Sequence, residues 1–379
     1  MLLGAPALAA ADADAPWPDL AGRALAPILA AIAAADGPVL LRSWEIGRGE
    51  AFDQVQGETA YTYDNALVGL ALLAAGEREA ATRIAEALRL AQAQDRHWQD
   101  GRLRNAYAAG RQYPDAPRSA RPPGWWDGQW FEDAYQVGSA AGPAAFAILL
   151  WTRLGGAPFR AAAEAAAAWC ATLRADRGFT GGTIGHEPAP TPLLWRSTEQ
   201  NLDLAIAFGR AGRPADAAHA EAFVRAMWDP GEGRFLSGLT PEGAPNRHSA
   251  LDANLWPLLA WPRALQYRPA LDWVRREHAV GDGFDFDNDR DGIWLEGTAQ
   301  AALLLRRIEA PIPAARCATA ITRHMTRAGW VRAASIPQLT TGLETGITPG
   351  VADFYYPDRW HLGATAWAAL AGLDASPFD

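Results

Sequence analysis

Two kinds of apolar stretch alternate along the chain at intervals of roughly 50 residues, a period characteristic of repeat architectures. In the first kind, apolar residues at i, i+3, i+4 and i+7 fill one face, and Arg and Glu solvate the other. This predicts amphipathic surface helices over 19–35, 77–93, 158–174, 213–228, 265–277 and 312–327. In the second kind, charge is nearly confined to the first turn, and a helix apolar all round belongs inside. These stretches are YDNALVGLALLAAG (63–76), AGPAAFAILLWTRLG (141–155), STEQNLDLAIAFGRAG (197–212), SALDANLWPLLAW (249–261), LEGTAQAALLLRR (295–307) and RWHLGATAWAALAG (359–372). Six inner and six outer helices in alternation predict an all-α (α/α)6 toroid, formed as a single domain over 17–379. An open solenoid is the alternative, but it would not gather polar residues at one end of its inner helices.

That gathering is the informative feature. The inner helices open with Asp64-Asn65, Ser197-Thr198-Glu199, Asp252 with Asn254, Glu296 and His361, whereas the second opens with Gly142-Pro143. Helix capping and the positive end of the helix dipole account for part of this. They account less well for five of six helices carrying a residue able to move protons or bind a sugar. In a toroid these helix starts converge on one mouth.

The intervening stretches are longer than a bundle needs, and long loops in compact domains are usually functional. Asp100-Gly101, between alternating residues, suggests a type I′ hairpin. The Pro-rich run RSARPPGWWDGQWFED brings Trp125, Trp126 and Trp130, which have no evident core role and are expected to line the mouth. Residues 229–247 and 330–357 read as loops with short strands.

Composition narrows the function. A net charge of -9 and a pI near 5.3, with basic residues scattered singly or in pairs, argue against nucleic acid. Seventeen tryptophans exceed what core filling needs, and indoles stack on the apolar faces of sugar rings. Cys170 and Cys317 lie in Ala-rich helices without metal or redox spacing, which predicts two buried thiols rather than a disulfide. The start MLLGAPALAAADADAP resembles the apolar part and A-x-A end of an export signal, which points to a periplasmic or secreted protein and otherwise to a cytoplasmic one. No apolar run elsewhere is long enough for a membrane span.

The succession YDNALVGLALL, GPAAFAILLW, STEQNLDL, DANLWPLL, WLEGTAQAAL and HLGATAWAAL resembles the six-hairpin glycosidase superfamily over roughly residues 40–372. Similar sequences carry Asn between Gly-Pro and an aromatic residue on the second inner helix; here Ala144 and Ala145 stand there. The resemblance implies an oligo- or polysaccharide substrate and hydrolysis with inversion, with lyases, phosphorylases and epimerases among the relatives.

Glycoside hydrolysis needs two carboxyl groups flanking the scissile bond, one protonated and one ionised. Glu296, which follows Trp294 and opens an inner helix, is expected to be the general acid; Glu199 or Asp64 would activate water. Asp252, Asn65, His361, Trp294, Tyr355 and Trp360 are expected to bind substrate, with Trp44, Tyr61 and Tyr63 near the same mouth. DFDNDRDG (285–292) matches the first half of a calcium loop, but Thr298 stands where that loop needs Glu. It is read as a polar loop bringing Asp291 to the substrate, and no metal or other cofactor is expected. The rival readings are an epimerase, which would centre on His pairs, a lyase, which would want Arg or Lys for uronates, and a non-catalytic sugar-binding protein.

Overall fold

The computed structural model describes residues 16–113, 132–344, 350–352 and 354–379. Its helices in chain order begin with α1 (Trp17–Ala33), the short α2 (Ala51–Gln56), α3 (Thr62–Ala74), α4 (Arg78–Ala93) and the single-turn α5 (Ala134–Val137). There follow α6 (Ala141–Leu154), α7 (Ala157–Ala171), α8 (Thr198–Arg210) and α9 (Pro214–Ala226). The last five are α10 (Leu251–Ala260), α11 (Pro269–Glu277), α12 (Leu295–Arg307), α13 (Pro311–Arg323) and α14 (Leu362–Leu373).

The uncharged helices form the inner ring. α3 packs on α6, α6 on α8, α8 on α10, α10 on α12, α12 on α14, and α14 returns to α3. The ring is therefore closed, and the chain is an (α/α)6 toroid. α4, α7, α9, α11 and α13 each cover the inner helix before them, while α1 covers α14 and completes the last hairpin. Pro opens α7, α9, α11 and α13, where its missing N–H would be unpaired in any case. Trp151, Trp256, Trp294, Trp367 and Phe146 are among the largest fully buried side chains. The core runs continuously round the ring.

A repeat hidden in the sequence holds the loops to the ring. The fourth residue of α3, α8 and α10 is Asn65, Asn201 and Asn254. Their amide oxygens accept from the backbone N–H groups of Leu41 (2.7 Å), Phe179 (2.7 Å) and Phe235 (2.9 Å). On α12 and α14 the fourth residues, Thr298 and Thr365, accept instead from Phe284 and Val331, each at 3.0 Å. Ala144 holds that place on α6, and there Asn105 from the preceding loop accepts from Ala140 N–H at 2.8 Å. Each loop is thus pinned at the same height, which fixes where the inner helices begin.

The expected hairpin at Asp100-Gly101 is absent. Asp95 instead accepts from the backbone N–H groups of His97 and Trp98, and Asp100 chelates Arg102. Strand Ala106–Ala108 pairs with the distant Thr59–Tyr61, a longer-range pairing that the buried Arg104–Asp95 ion pair anchors. Loops 229–247 and 330–357 do contain short antiparallel pairs, 234–235 with 228–229 and 339–340 with 355–356. Cys170 and Cys317 are buried and unbonded, and burial pushes the Cys317 thiol up to about 12. No described helix is long and apolar enough to cross a membrane. Trp125, Trp126, Trp130 and the N-terminal segment through residue 15 lie outside the described residues.

Candidate active site

The second residue of each inner helix stands at the mouth of the ring. Going round, these are Tyr63, Gly142, Glu199, Asp252, Glu296 and Gly363. Three consecutive helices, α8, α10 and α12, bring carboxyl groups. The two helices flanking that arc, α14 and α6, bring glycine, and α3 opposite brings a phenol. The glycines leave room over which the acids lean. A Cβ on Gly363 would stand 2.9 Å from Asp64 Oδ1, Glu296 Oε2 and His361 Cε1 alike, so these three groups converge on one point.

Glu296 is buried among donors. Tyr63 donates its phenolic O–H to Glu296 Oε1 at 2.8 Å, and Trp367 donates its indole N–H to the Tyr63 oxygen at 2.8 Å. His361 bridges the ring between α3 and α12: its Nε2 lies 3.2 Å from Asp64 Oδ2 and its Nδ1 3.4 Å from Glu296 Oε2. Burial alone would lower the His361 pKa, but Asp64 and Glu296 outweigh it and raise it to about 9. At neutral pH the ring is an imidazolium, and Trp44 stacks on it with centroids 4.1 Å apart.

The other carboxyl pair behaves differently. Burial, then the charges of Asp252, Asp203 and Glu296, hold the Glu199 carboxyl well above the usual carboxylate range. Glu199 and Asp252 share a hydrogen bond that favours the proton on Glu199. Asp252 is itself raised by burial to about 7, although its Oδ1 accepts from Ala253 N–H. Tyr63, Tyr135 and Tyr356 all lie within the field of these acids, and burial holds each phenol protonated. Tyr135 and Asp203 are not among the expected residues; of the two only Asp203 carries a signal in the sequence, an acid four residues after Glu199 and so on the same helix face.

The expected site residues therefore divide. Glu199, Asp252, Glu296, Asp64 and His361 come together at one mouth. Trp294, 2% exposed, is a wall behind Tyr356, with rings stacked 5.4 Å apart. Tyr355 is exposed, and half-buried Trp360 stacks on Trp330 at 4.6 Å. Asn65 is corrected: fully buried, it spends its amide on Leu41 N–H and on the Leu41 and Tyr61 carbonyls, so it pins backbone rather than meeting substrate. Asp291 accepts from the backbone N–H and the hydroxyl of Thr340, tying its loop to strand 339–340. Beside it, carboxylate oxygens of Asp285, Asp287 and Asp289 lie within 4.8 Å of one another, the one grouping among the described residues able to hold a metal ion. Its hydrogen bonds close on the loop's own backbone and on Thr340.

No protein-family model matches the chain, and no curated protein matches it. Solved structures do. A wild-type glycosidase is 14% identical, with 96% of this chain and 98% of that chain covered and a TM-score of 0.60. The GH63 mannosylglycerate hydrolase from Thermus thermophilus, in complex with glucose, is 13% identical, with 93% and 99% covered and a TM-score of 0.55. A D-mannose isomerase is 11% identical, with 96% and 99% covered and a TM-score of 0.61. At such identities the likeness establishes the fold: the chain is an (α/α)6 toroid of the kind these enzymes share.

Proposed function

We propose that the protein is a glycoside hydrolase of oligo- or polysaccharides, with Glu199 as general acid and Glu296 as general base. The observation that carries this reading is the opposed environments of the two carboxyls. One is buried among acids and keeps its proton; the other accepts from Tyr63 and faces the His361 imidazolium. Two carboxyls in such unlike surroundings suit the separate roles of acid and base. These roles are exchanged relative to the sequence expectation, because the donors around Glu296 could not be foreseen. Asp64 faces His361 and serves to hold it, rather than to activate water.

In the proposed reaction Glu199 protonates the glycosidic oxygen as the bond to the anomeric carbon breaks. Glu296 takes a proton from the water that forms the new bond to that carbon from the opposite face, giving inversion. Asp252 receives the hydrogen bond of Glu199 beforehand and stabilises its protonated form. Tyr63 and His361 fix the Glu296 carboxylate. The solved glycosidases of the same fold support a sugar substrate for this mouth, and two of them were solved with glucose bound. The acidic character of the mouth favours uncharged sugars over uronates, which counts against a lyase. His361, already protonated at neutral pH, is poorly suited to the base of an epimerase.

The test is a panel of oligo- and polysaccharides assayed with the full chain. Hydrolysis creates new reducing ends with saturated products, a lyase creates new reducing ends with unsaturated products, and an epimerase or isomerase leaves the number of reducing ends unchanged. New reducing ends that vanish in Glu199→Gln support the proposal. Isomerised monosaccharide without new ends overturns it.

A further inference from the structure

One turn below the mouth, the sixth residues of α6, α10 and α14 are Phe146, Trp256 and Trp367, on alternate helices round the ring. All three are at most 1% exposed. Phe146 meets the Tyr63 ring edge to face, with centroids 4.7 Å apart, and Trp367 donates to the Tyr63 oxygen. Trp256 lies 5.8 Å from Phe146 and 6.0 Å from Trp367. Phe378, 8% exposed, packs on the same floor, 5.4 Å from Trp256 and 6.2 Å from Phe146. The segment that carries it is clamped to the far end of the inner helices. Asp374, in the left-handed region at φ 54°, turns the chain out of α14. Arg153, Arg210 and Arg307 stand eleven residues, three turns, beyond Gly142, Glu199 and Glu296 on their helices. Arg307 holds both carboxylate oxygens of Asp379, at 2.8 and 2.7 Å, and Arg153 and Arg210 both donate to the Asp379 main-chain oxygen. Ser376 closes the turn: its N–H donates to Asp379 Oδ2 at 2.8 Å, and its hydroxyl oxygen accepts from Phe378 N–H at 3.2 Å.

Arginines near helix C-termini suit the helix dipole wherever they point. Here three of them converge on the residue beside Phe378, which fixes how far its ring reaches into the toroid. Two routes then run from Phe378 to Tyr63. One passes through Phe146 to the phenol ring, and the other through Trp256 and Trp367 to the phenol oxygen. Packed interiors transmit such contacts, since a gap of 0.5–1 Å already forfeits about a quarter to a half of the attraction between facing groups. With the Phe378 ring gone, Phe146 and Trp256 lose their support, and the phenol that donates to Glu296 loses both of its own. We infer that Phe378 is a positioning residue: the clamped turn Ser376–Asp379 props the aromatic floor and, through Phe146 and Trp256, keeps Tyr63 in hydrogen-bonding register with Glu296. This rests on the role proposed above for Glu296.

The experiment is a double-mutant cycle between Phe378→Ala and Tyr63→Phe in the full chain. Acting through Tyr63, Phe378→Ala can cost no more than the roughly tenfold in kcat expected of Tyr63→Phe, the scale of one hydrogen bond to a charged group. It should lower kcat about fivefold with KM within about twofold, and lower it less than about twofold further on the Tyr63→Phe background. Should Phe378→Ala fail to fold, Arg307→Ala loosens the clamp and leaves the floor filled. It should lower kcat roughly two- to threefold, again with no added effect on Tyr63→Phe. A lowered Tm with unchanged kcat, or losses that multiply in the double variant, overturns the inference, because Phe378 then only fills space. The same cycle read by denaturant unfolding needs no activity. There the two destabilisations should fall short of additive by at least about twofold in the unfolding constant. That result in a chain that makes no new reducing ends supports the prop while sinking the hydrolase reading. Losses that multiply in an active hydrolase do the reverse, so the two failures are distinguishable.

Discussion

At the scale of single residues, the proposed roles of Glu199 and Glu296 separate by leaving group. Either residue changed to Gln should lower kcat by roughly 10²–10⁴-fold on the natural glycoside. With an aryl glycoside whose leaving group needs little protonation, Glu199→Gln should recover most of its rate, while Glu296→Gln should not. Steady-state kinetics on both substrates checks this, and equal losses on both for Glu199→Gln would remove it from the acid role. Tyr63→Phe keeps the ring against Phe146 but takes away the hydrogen bond to Glu296. It should lower kcat about tenfold with little change in KM, the scale of one hydrogen bond to a charged group. The pH profile of kcat should fall on the alkaline side as His361 loses its proton near 9, since the neutral ring no longer balances Asp64 and Glu296. A flat profile from pH 7 to about 10 would argue against that role.

Among elements, the inner helices were legible in the sequence because burial on every side leaves an uncharged stretch, and all six fall within three residues of their expected starts. Convergence of the acids was legible for the same reason: Asp64, Glu199, Asp252 and Glu296 each interrupt an apolar helix at its first turn. What the chain did not reveal was which polar residue faces the axis and which faces a loop. Asn65 looks like Asp64 in a string of letters, yet one position of helix rotation turns it onto Leu41 and out of the mouth. The pinning repeat of Asn65, Asn201, Asn254, Thr298 and Thr365 was hidden because two residue types perform one task. Asn201→Ala should therefore leave the Phe179 N–H and C=O buried and unpaired. A loss of about 1–3 kcal/mol in denaturant unfolding is expected, with KM for bound sugar little changed. Gly363→Ala tests the mouth itself. Its methyl group would collide with Asp64, Glu296 and His361 at once, and activity should fall at least 100-fold even where Tm drops only modestly.

For the molecule as a whole, the closed ring confines like charges in one low-dielectric mouth, and this should show in how stability varies with pH. Groups whose folded pKa lies above the unfolded value hold protons that the unfolded chain releases, so stability falls as pH rises through that window. Asp252, raised by burial to about 7, and Asp287 and Asp285, raised by burial to about 6 and about 8, all act this way above pH 4. His361 adds to it: its ion pairs with Asp64 and Glu296 are fully present below about 6.5 and lost as pH passes 9. Two groups pull in the opposite direction at lower pH. His278, lowered by burial to about 4, is neutral in the fold but takes a proton when unfolded, so its contribution grows as pH rises from about 4 to 6.5. Glu187 is brought down to about 2, against the opposing effect of burial, by Arg96 and Arg104, and those ion pairs are lost only in strong acid. Stability should therefore rise from pH 3 to a maximum near 4, above which the three raised carboxyls outweigh His278, and decline steadily to pH 9, measured as Tm by calorimetry in buffers of equal ionic strength. The variant Asp252→Asn, which removes one charge from the crowded arc, should flatten the decline between about pH 5 and 7 and leave the acid limb unchanged. A decline that keeps its slope in that variant would mean the mouth does not govern stability in this range, and that its acids are relieved by rearrangement rather than by keeping their protons.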